Sequence, residues 1–498
     1  MSQEITSSDA RETPALWDIP RFPRGFVLAT RSVPAPAGFV PGPLLENFFT
    51  HPWASVEHAG DRDLFVIVIG RCVAIDGTDE TPVAAQLLSS LRRGVPEFLA
   101  RTDYYGGRYA ILFGSADHIR VVNDATSMRS VFYTRDGTAI ASHALLAEGT
   151  YGAETAESDL PYRYGYPGNL TPYPRTKILT SNTYYCLRSN RVRRFWPVVA
   201  PAPRSSVQAA AKVLHASAHM IRNLARGRDL ALTLTAGLDS RAVLAMALHA
   251  GVDFRTYTYG DDADTEVDRA VADLLARRFG VEHTVVDTQV HDPQMIERLR
   301  EVNYSTHHGK WVGALAARFD PRSTLALLGN LFEIGRSNFA PARRIGLPAP
   351  VDAESMAWLH YRKFGPAVQG WVKEYGTDRF MAHSVDAFQN FIEETGFAEA
   401  AGIIDPFDQF YWEHRMAAWQ GVAMGERDFY SDPIIPFNAR YLFEVMLGVN
   451  RADRYNDMTP IRLIQQADPA LLDIPINPST PADLTASPGH RGSPARVG

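Results

Sequence analysis

The sequence predicts an α/β fold joined to an α+β half. An antiparallel β region comes first, a parallel strand–helix region second, and a mainly helical part last. Three observations predict this. Up to about residue 200, short β-branched and aromatic runs are broken by Gly, Asp and Asn. From about 206, apolar strands alternate with helical patterns. Beyond 350 the periodicity is helical and rich in aromatics. At 498 residues the chain exceeds one ordinary core, so two domains are expected, 1–200 and 201–476. Residues 477–498, rich in Pro, Ser and Gly, are expected to be disordered.

In the first half "DLFVIVIGRCVAI", "GRYAILFG", "HIRVVND", "SVFYT" and "TAIASH" read as strands of packed antiparallel sheets. Leu87, Leu88, Leu91 and Phe98 predict one helix over 82–103. The proline-rich 194–205 reads as the linker out of this domain. In the second half a helix over 206–226 leads to a strand at 230–235 and a helix to 250. Strands at 254–260, 282–287 and 324–329 follow, with a helix across 264–279. A parallel sheet binds its ligand at the carboxyl ends of its strands.

Composition excludes several classes of function. Hydrophobic residues make up 45% and charged residues 21%, as in a globular protein. A net charge of −6 gives no general attraction to nucleic acid. Cys72 and Cys186, the two cysteines, support neither a disulfide framework nor a cysteine zinc site, which suits a reducing cytoplasm. The acidic, proline-containing first residues do not read as a signal peptide, and apolar windows such as 64–70 are too short to cross a membrane.

The chemistry concentrates in "LALTLTAGLDSRAVLAMALHAG" (230–251), where a buried strand meets a helix. Gly237 permits close approach of a ligand, the helix amino terminus offers free N–H groups, and Thr235 and Ser240 add hydroxyls. Asp239 would repel a bare phosphate and makes sense with a bridging metal ion, while Arg241 adds positive charge. A capped helix in an ordinary strand–helix turn fits the same residues. The GxxxxGK[ST] phosphate loop is absent.

"LTAGLDS" resembles the SGGxDS pyrophosphate loop of the ATP pyrophosphatases, with Thr for the first Ser and Ala for the first Gly. Several neighbouring segments are similar to asparagine synthetases. "FRTYTYG" matches the second strand of their synthase domain, and "LALLGNLFEIGRSNF" (325–339) sits where that family carries SGEGxDE. Residues 169–197 and 103–143 resemble the joining segment and the glutaminase-like domain. The resemblance covers most of residues 60 to 465. It implies an N-terminal Ntn-like β-sandwich and a C-terminal PP-loop domain. It further implies ATP and magnesium as cofactors, with a carboxylate activated as its adenylate and attacked by an amine. The segment Thr235, Ala236, Gly237, Leu238, Asp239 and Ser240 would bind the nucleotide, Thr235, Gly237, Asp239 and Ser240 cradling its β- and γ-phosphates. Leu234, Thr258 and Gly329 would surround the adenosine, and Asp239 with Glu333 would hold magnesium. A surface acid pairing with Arg336 is the plainer reading of Glu333.

The sequence also departs from the family. Its glutaminases use an N-terminal Cys, but residue 2 is Ser and about 50 residues precede the similar region. Cys72 reads as core, so glutamine hydrolysis is expected to be lost, as in β-lactam synthetases, carbapenam synthetases and lasso-peptide macrolactam cyclases. Asn330 replaces a catalytic Glu or Tyr and cannot be a general base. The family's late lysine is missing; Arg454 or Arg462 would supply that charge. His307, His308 and Lys310 lie where the family contacts substrate, although a polar surface loop fits them equally.

The sequence therefore predicts a cytoplasmic, Mg-ATP-dependent, AMP-forming amide ligase in specialised metabolism, acting on a small-molecule or peptide carboxylate and an amine. It predicts no nucleic-acid or membrane partner and leaves a homodimer possible. A non-catalytic ATP-binding homologue and a glutamine-hydrolysing asparagine synthase are the alternatives.

Overall fold

The computed structural model describes residues 21–77, 81–151, 165–288, 293–304, 309–344, 346–362 and 366–484. Two six-stranded antiparallel sheets form the first half. The longest strands are Phe65–Ala74 and Tyr105–Ser115, paired over ten residues. Their period-two alternation decides the layers. Phe65, Ile67, Ile69 and Leu112 face the other sheet, where Phe26, Leu28 and Ile140 meet them. Val66, Val68, Ile111 and Phe113 face the helices Val83–Arg93 and Val95–Thr102. These are two helices where one was expected over 82–103. Gly94 interrupts them at φ 132°, and Pro96 follows without an N–H to continue the ladder.

The second half is built on a parallel five-stranded sheet, ordered His283–Val286, Arg255–Tyr259, Asp229–Thr233, Thr324–Leu327, Asp432–Ile434. Four of these strands match the expected ones. The fifth lies where only helices were expected, and Pro433 explains why its pattern was missed. Proline disfavours a strand except at an edge, and this strand is an edge. Helix Leu238–Ala250 is buried on nearly every side, Ala242 to Ala247 being fully enclosed. It packs against helices Ser206–Ala225 and Met458–Ala467, which also pack on each other, and Gly251 ends it in the left-handed conformation.

The two halves meet through backbone and charge. Gly106 bridges to Ala439, Gly107 donates to the Asn438 carbonyl at 3.1 Å, and the Asn438 amide returns a bond to the Gly107 carbonyl at 2.7 Å. Arg108 grips buried Asp428 with two bonds of 2.6 and 2.9 Å. The expected linker is only partly free. Arg194 is paired to buried Glu413 and Trp196 packs on Trp412, while Val198 and Val199 are exposed. Residues 477–484 depart from the expected disorder. They lie against the second half, with a short turn at Pro481–Leu484 on helix Glu266–Phe279. Residues 485–498 lie outside the described residues. Among the described residues no helix is long and apolar enough to cross a membrane.

Candidate active site

The strand Asp229–Thr233 delivers its chain to the carboxyl edge of the sheet and on into helix Leu238–Ala250. Leu234 prolongs the parallel pairing, donating to the Tyr257 carbonyl at 2.9 Å and accepting from the Thr258 hydroxyl at 2.6 Å. Leu234 and Thr258 thus turn their side chains into the fold. Ser240 closes the loop, its hydroxyl accepting from Thr235 N–H at 3.1 Å and meeting the Thr235 hydroxyl at 2.9 Å. Gly237 caps the helix in extended backbone without a side-chain bond, leaving first-turn N–H groups for another acceptor. Arg241 does not join this loop. It is fully buried and donates instead to the carbonyls of Leu471, Ile474 and Pro475. One residue along a helix turns a side chain by about 100°, which carries Arg241 away from Ser240.

Gly329 ends strand Thr324–Leu327 directly against this helix. A Cβ there would stand 2.7 Å from the Asp239 carbonyl carbon and 2.8 Å from Ser240 N. That contact, rather than a ligand, requires the glycine. Half-buried Asn330 follows at the same edge, and Leu331 takes a left-handed φ of 89° that starts the short helix Phe332–Arg336. This helix brings Glu333 and Arg336 to Asp239. Arg336 pairs through Nη2 with Asp239 and through Nε with Asp457 at 3.0 Å. Glu333 accepts from Leu331 N–H at 2.8 Å. Burial pushes the Asp239 carboxyl up to about 7, with Arg336 opposing the rise and Glu333 and Asp457 adding to it. The plainer reading of Glu333 placed Arg336 against it, but the ion pairs of Arg336 run to Asp239 and Asp457.

Two acids therefore pair with one guanidinium, and the charge of Glu333 acts on it without an ion pair. Among the described residues no group of three or more His, Cys, Asp or Glu is placed to hold a metal ion by itself. The donor set nevertheless fits magnesium, which takes one or two carboxylates and completes its shell with phosphate oxygens and water. Burial is the main cause of the raised Asp239 carboxyl, and Glu333 and Asp457 add to it; a bound divalent cation would oppose both.

Neither candidate cation from the C-terminal part reaches the loop through its contacts. Arg454 is buried, donating to the Gly335 carbonyl at 2.7 Å and pairing with Asp408 at 2.6 Å, so it secures the Phe332–Arg336 helix. Arg462 bonds Gln465 on its own helix at 2.8 Å. Its sequence position offered no means to separate such a pairing from a role at the loop. His307 and His308 lie outside the described residues, and Lys310 falls in helix Gly309–Ala316. Two contacts of the loop were not anticipated. Asp268, on helix Glu266–Phe279, accepts from Ala236 N–H at 2.7 Å, and Asn477 donates to the Ala236 carbonyl at 3.1 Å. Asp268 lay within a recognisably acidic helix start; nothing local singled out Asn477.

Cys72 sits mid-strand in Phe65–Ala74, where burial and the nearby acids Glu57 and Asp124 push its thiol well above the usual range. A thiol so held is a poor nucleophile.

With this geometry in view, the comparisons with known proteins have a definite place in the fold. Residues 217–310 match the asparagine synthase family model. The matched segment contains the Thr235–Ser240 loop and Asp268, and stops before Glu333, Asp457 and Asn477. No curated protein matches the chain. Among solved structures, a glutamine-dependent NAD(+) synthetase from Cytophaga hutchinsonii is 11% identical at a TM-score of 0.18, over 26% of this chain and 33% of that one. The glutamine phosphoribosylpyrophosphate amidotransferase from B. subtilis, complexed with ADP and GMP, is 12% identical at 0.20, over 46% and 47%. A glutamine-dependent NAD+ synthetase from Acinetobacter baumannii, in complex with ADP, is 14% identical at 0.20, over 43% and 51%. The chain thus spans a third to about half the length of these structures, and likenesses so slight carry no functional conclusion.

Proposed function

We propose that this protein is a Mg-ATP-dependent amide ligase that adenylates a substrate carboxylate, releases pyrophosphate and joins the acyl group to an amine. The observation that carries the reading is the loop inside the asparagine synthase match, whose Asp239 is brought beside Glu333 by the next strand of the sheet. Free N–H groups of the Leu238–Ala250 helix and the Thr235 and Ser240 hydroxyls would hold the phosphates. Asp239 and Glu333 would hold magnesium, which when bound neutralises charge growing on the leaving pyrophosphate. Arg336 would then exchange its Asp239 contact for phosphate oxygens, a cation answering the charge that Asp239 no longer shares with it. Asn330, at the sheet's carboxyl edge, would orient the substrate by hydrogen bonds and take no proton. The amine would come from a substrate rather than from glutamine, a reading supported by the half-buried, mid-strand Cys72, whose thiol is held well above the usual range.

The test is release of pyrophosphate dependent on an added carboxylate pool. We expect Asp239→Ala to reduce it by about 100-fold or more. No pyrophosphate from the wild-type protein with any pool would overturn the ligase. A second reading, nucleotide binding without turnover, is favoured by the Arg336–Asp239 pair, which occupies the acid that a metal needs. ATP bound and recovered intact would support it.

A further inference from the structure

Among the described residues, one buried guanidinium has neither an acid nor a carbonyl to meet it. Arg24, Arg108, Arg129, Arg440 and Arg454 are buried, and each pairs with an aspartate. Arg241, buried as well, donates to three carbonyls. Arg427, 8% exposed at the end of helix Val422–Arg427, makes one side-chain bond, from Nη1 to the Tyr430 hydroxyl at 2.8 Å. The groups that act on it electrostatically are the phenols of Tyr430, Tyr259 and Tyr257. Burial raises the Tyr257 and Tyr430 hydroxyls above the usual phenol range, so both stay neutral. A guanidinium so placed is costly unless an anion meets it.

These neighbours put Arg427 at the carboxyl edge of the parallel sheet, on the face away from helix Leu238–Ala250. Ala231, Tyr257 and Tyr430 pack together on that face, whereas Leu232 and Leu234 pack with the helix. Thr233 ends the strand that leads into the Thr235–Ser240 loop, and its hydroxyl donates to the Tyr257 hydroxyl at 2.8 Å. Half-buried Tyr259 ends the neighbouring strand, its ring centre 4.6 Å from that of Trp311. Nε and Nη2 of Arg427 have no acceptor among the described residues, and neither atom is sealed from solvent. Those two donors form the edge of the guanidinium that matches both oxygens of a carboxylate.

We propose that Arg427 is a ligand-binding residue: its Nε and Nη2 take the carboxylate of an organic acid whose apolar or aromatic body lies on Tyr259. One guanidinium balances the single charge of a carboxylate, where a phosphate near neutral pH brings more. The paired rings of Tyr259 and Trp311 offer such a body a flat apolar wall. The acid binds without nucleotide; that it is the acid joined to an amine rests on the ligase reading above.

Thermal shifts with benzoate, benzamide and inorganic phosphate, in the absence of nucleotide, test the site. Benzoate at millimolar concentration should raise the melting temperature of the wild type, and its neutral amide and phosphate should not. Arg427→Met should melt at or above the wild type without ligand, because an unmatched buried charge is gone. Its affinity for benzoate should fall about tenfold or more. The proposal is overturned if benzoate leaves the wild type unmoved, if benzamide or phosphate matches it, or if Arg427→Met binds it equally. A clear loss of stability in Arg427→Met would also overturn it, by making the arginine structural. Pyrophosphate release that Arg427→Met sustains at the wild-type KM would remove this site and leave the ligase standing. Benzoate bound as expected, in a protein that releases no pyrophosphate with any acid, would uphold the site and overturn the ligase.

Discussion

Two charged clusters of this molecule are built in opposite ways. Where the halves join, Asp428 meets Arg108, Arg129 and Arg24, and Asp432 meets Arg71 and Arg24. Four guanidinium groups surround two carboxylates. Although burial opposes it, Arg24 and Arg71 hold the Asp432 carboxyl well below the usual range. At the loop the ratio is reversed: Asp239 and Asp457 both pair with Arg336, Glu333 adds a third acid nearby, and burial with these charges raises the Asp239 carboxyl to about 7. The first cluster has its countercharge built in. The second is short of positive charge, which is the condition of a site that a cation or cationic ligand completes. Charge balance therefore separates a lock from a site more clearly than the number of charged residues does.

The largest effect should come from breaking the lock. Asp428→Ala leaves Arg108 and Arg129 buried without their acid, and we expect a loss of about 3–5 kcal/mol, read by chemical denaturation. If stability barely moved, the two clusters would not differ as argued. Next comes the pH response of the same cluster. A depressed carboxyl contributes stability that is present above its unfolded pKa and is lost as pH falls toward the folded one. Asp432→Asn should therefore be less stable than the wild type at neutral pH, with the gap between their melting temperatures narrowing below about pH 4. A gap constant with pH would remove ionisation as the cause. The smallest change in stability should follow Glu333→Gln, within about 0.5 kcal/mol, because Gln still accepts from Leu331 and one surplus charge is gone. Its binding of Mg-ATP should nonetheless weaken severalfold. A large loss of stability with unchanged binding would make Glu333 part of a lock.

Much of the frame was legible along the chain. The β-branched and aromatic runs "DLFVIVIG" and "GRYAILFG" were legible as strands of packed antiparallel sheets, and both faces of these strands are buried. The loop and its helix were legible because an apolar strand, a glycine and a helical run lie within one stretch. The failures have a common cause. Arg241 and Arg454 read as available cations because local sequence records that a residue is charged, without its distant partner. The partners of Arg241 lie more than 200 positions away, and that of Arg454 lies 46 positions away. Arg336 was noticed beside Glu333 in sequence, yet its acids are Asp239 and Asp457.

By itself, then, the sequence determined most of the succession of strands and helices and a hydroxyl- and glycine-bearing loop at a strand's carboxyl end. Periodicity and turn chemistry act over a few residues, so these features are written locally. Only the tertiary structure decided that Pro433 sits in an edge strand, that Gly329 must be bare against Asp239, and that Asn477 closes the loop. Each of those depends on segments far apart in the chain arriving at one place, and the free energy of that meeting belongs to the pair of segments and not to either one.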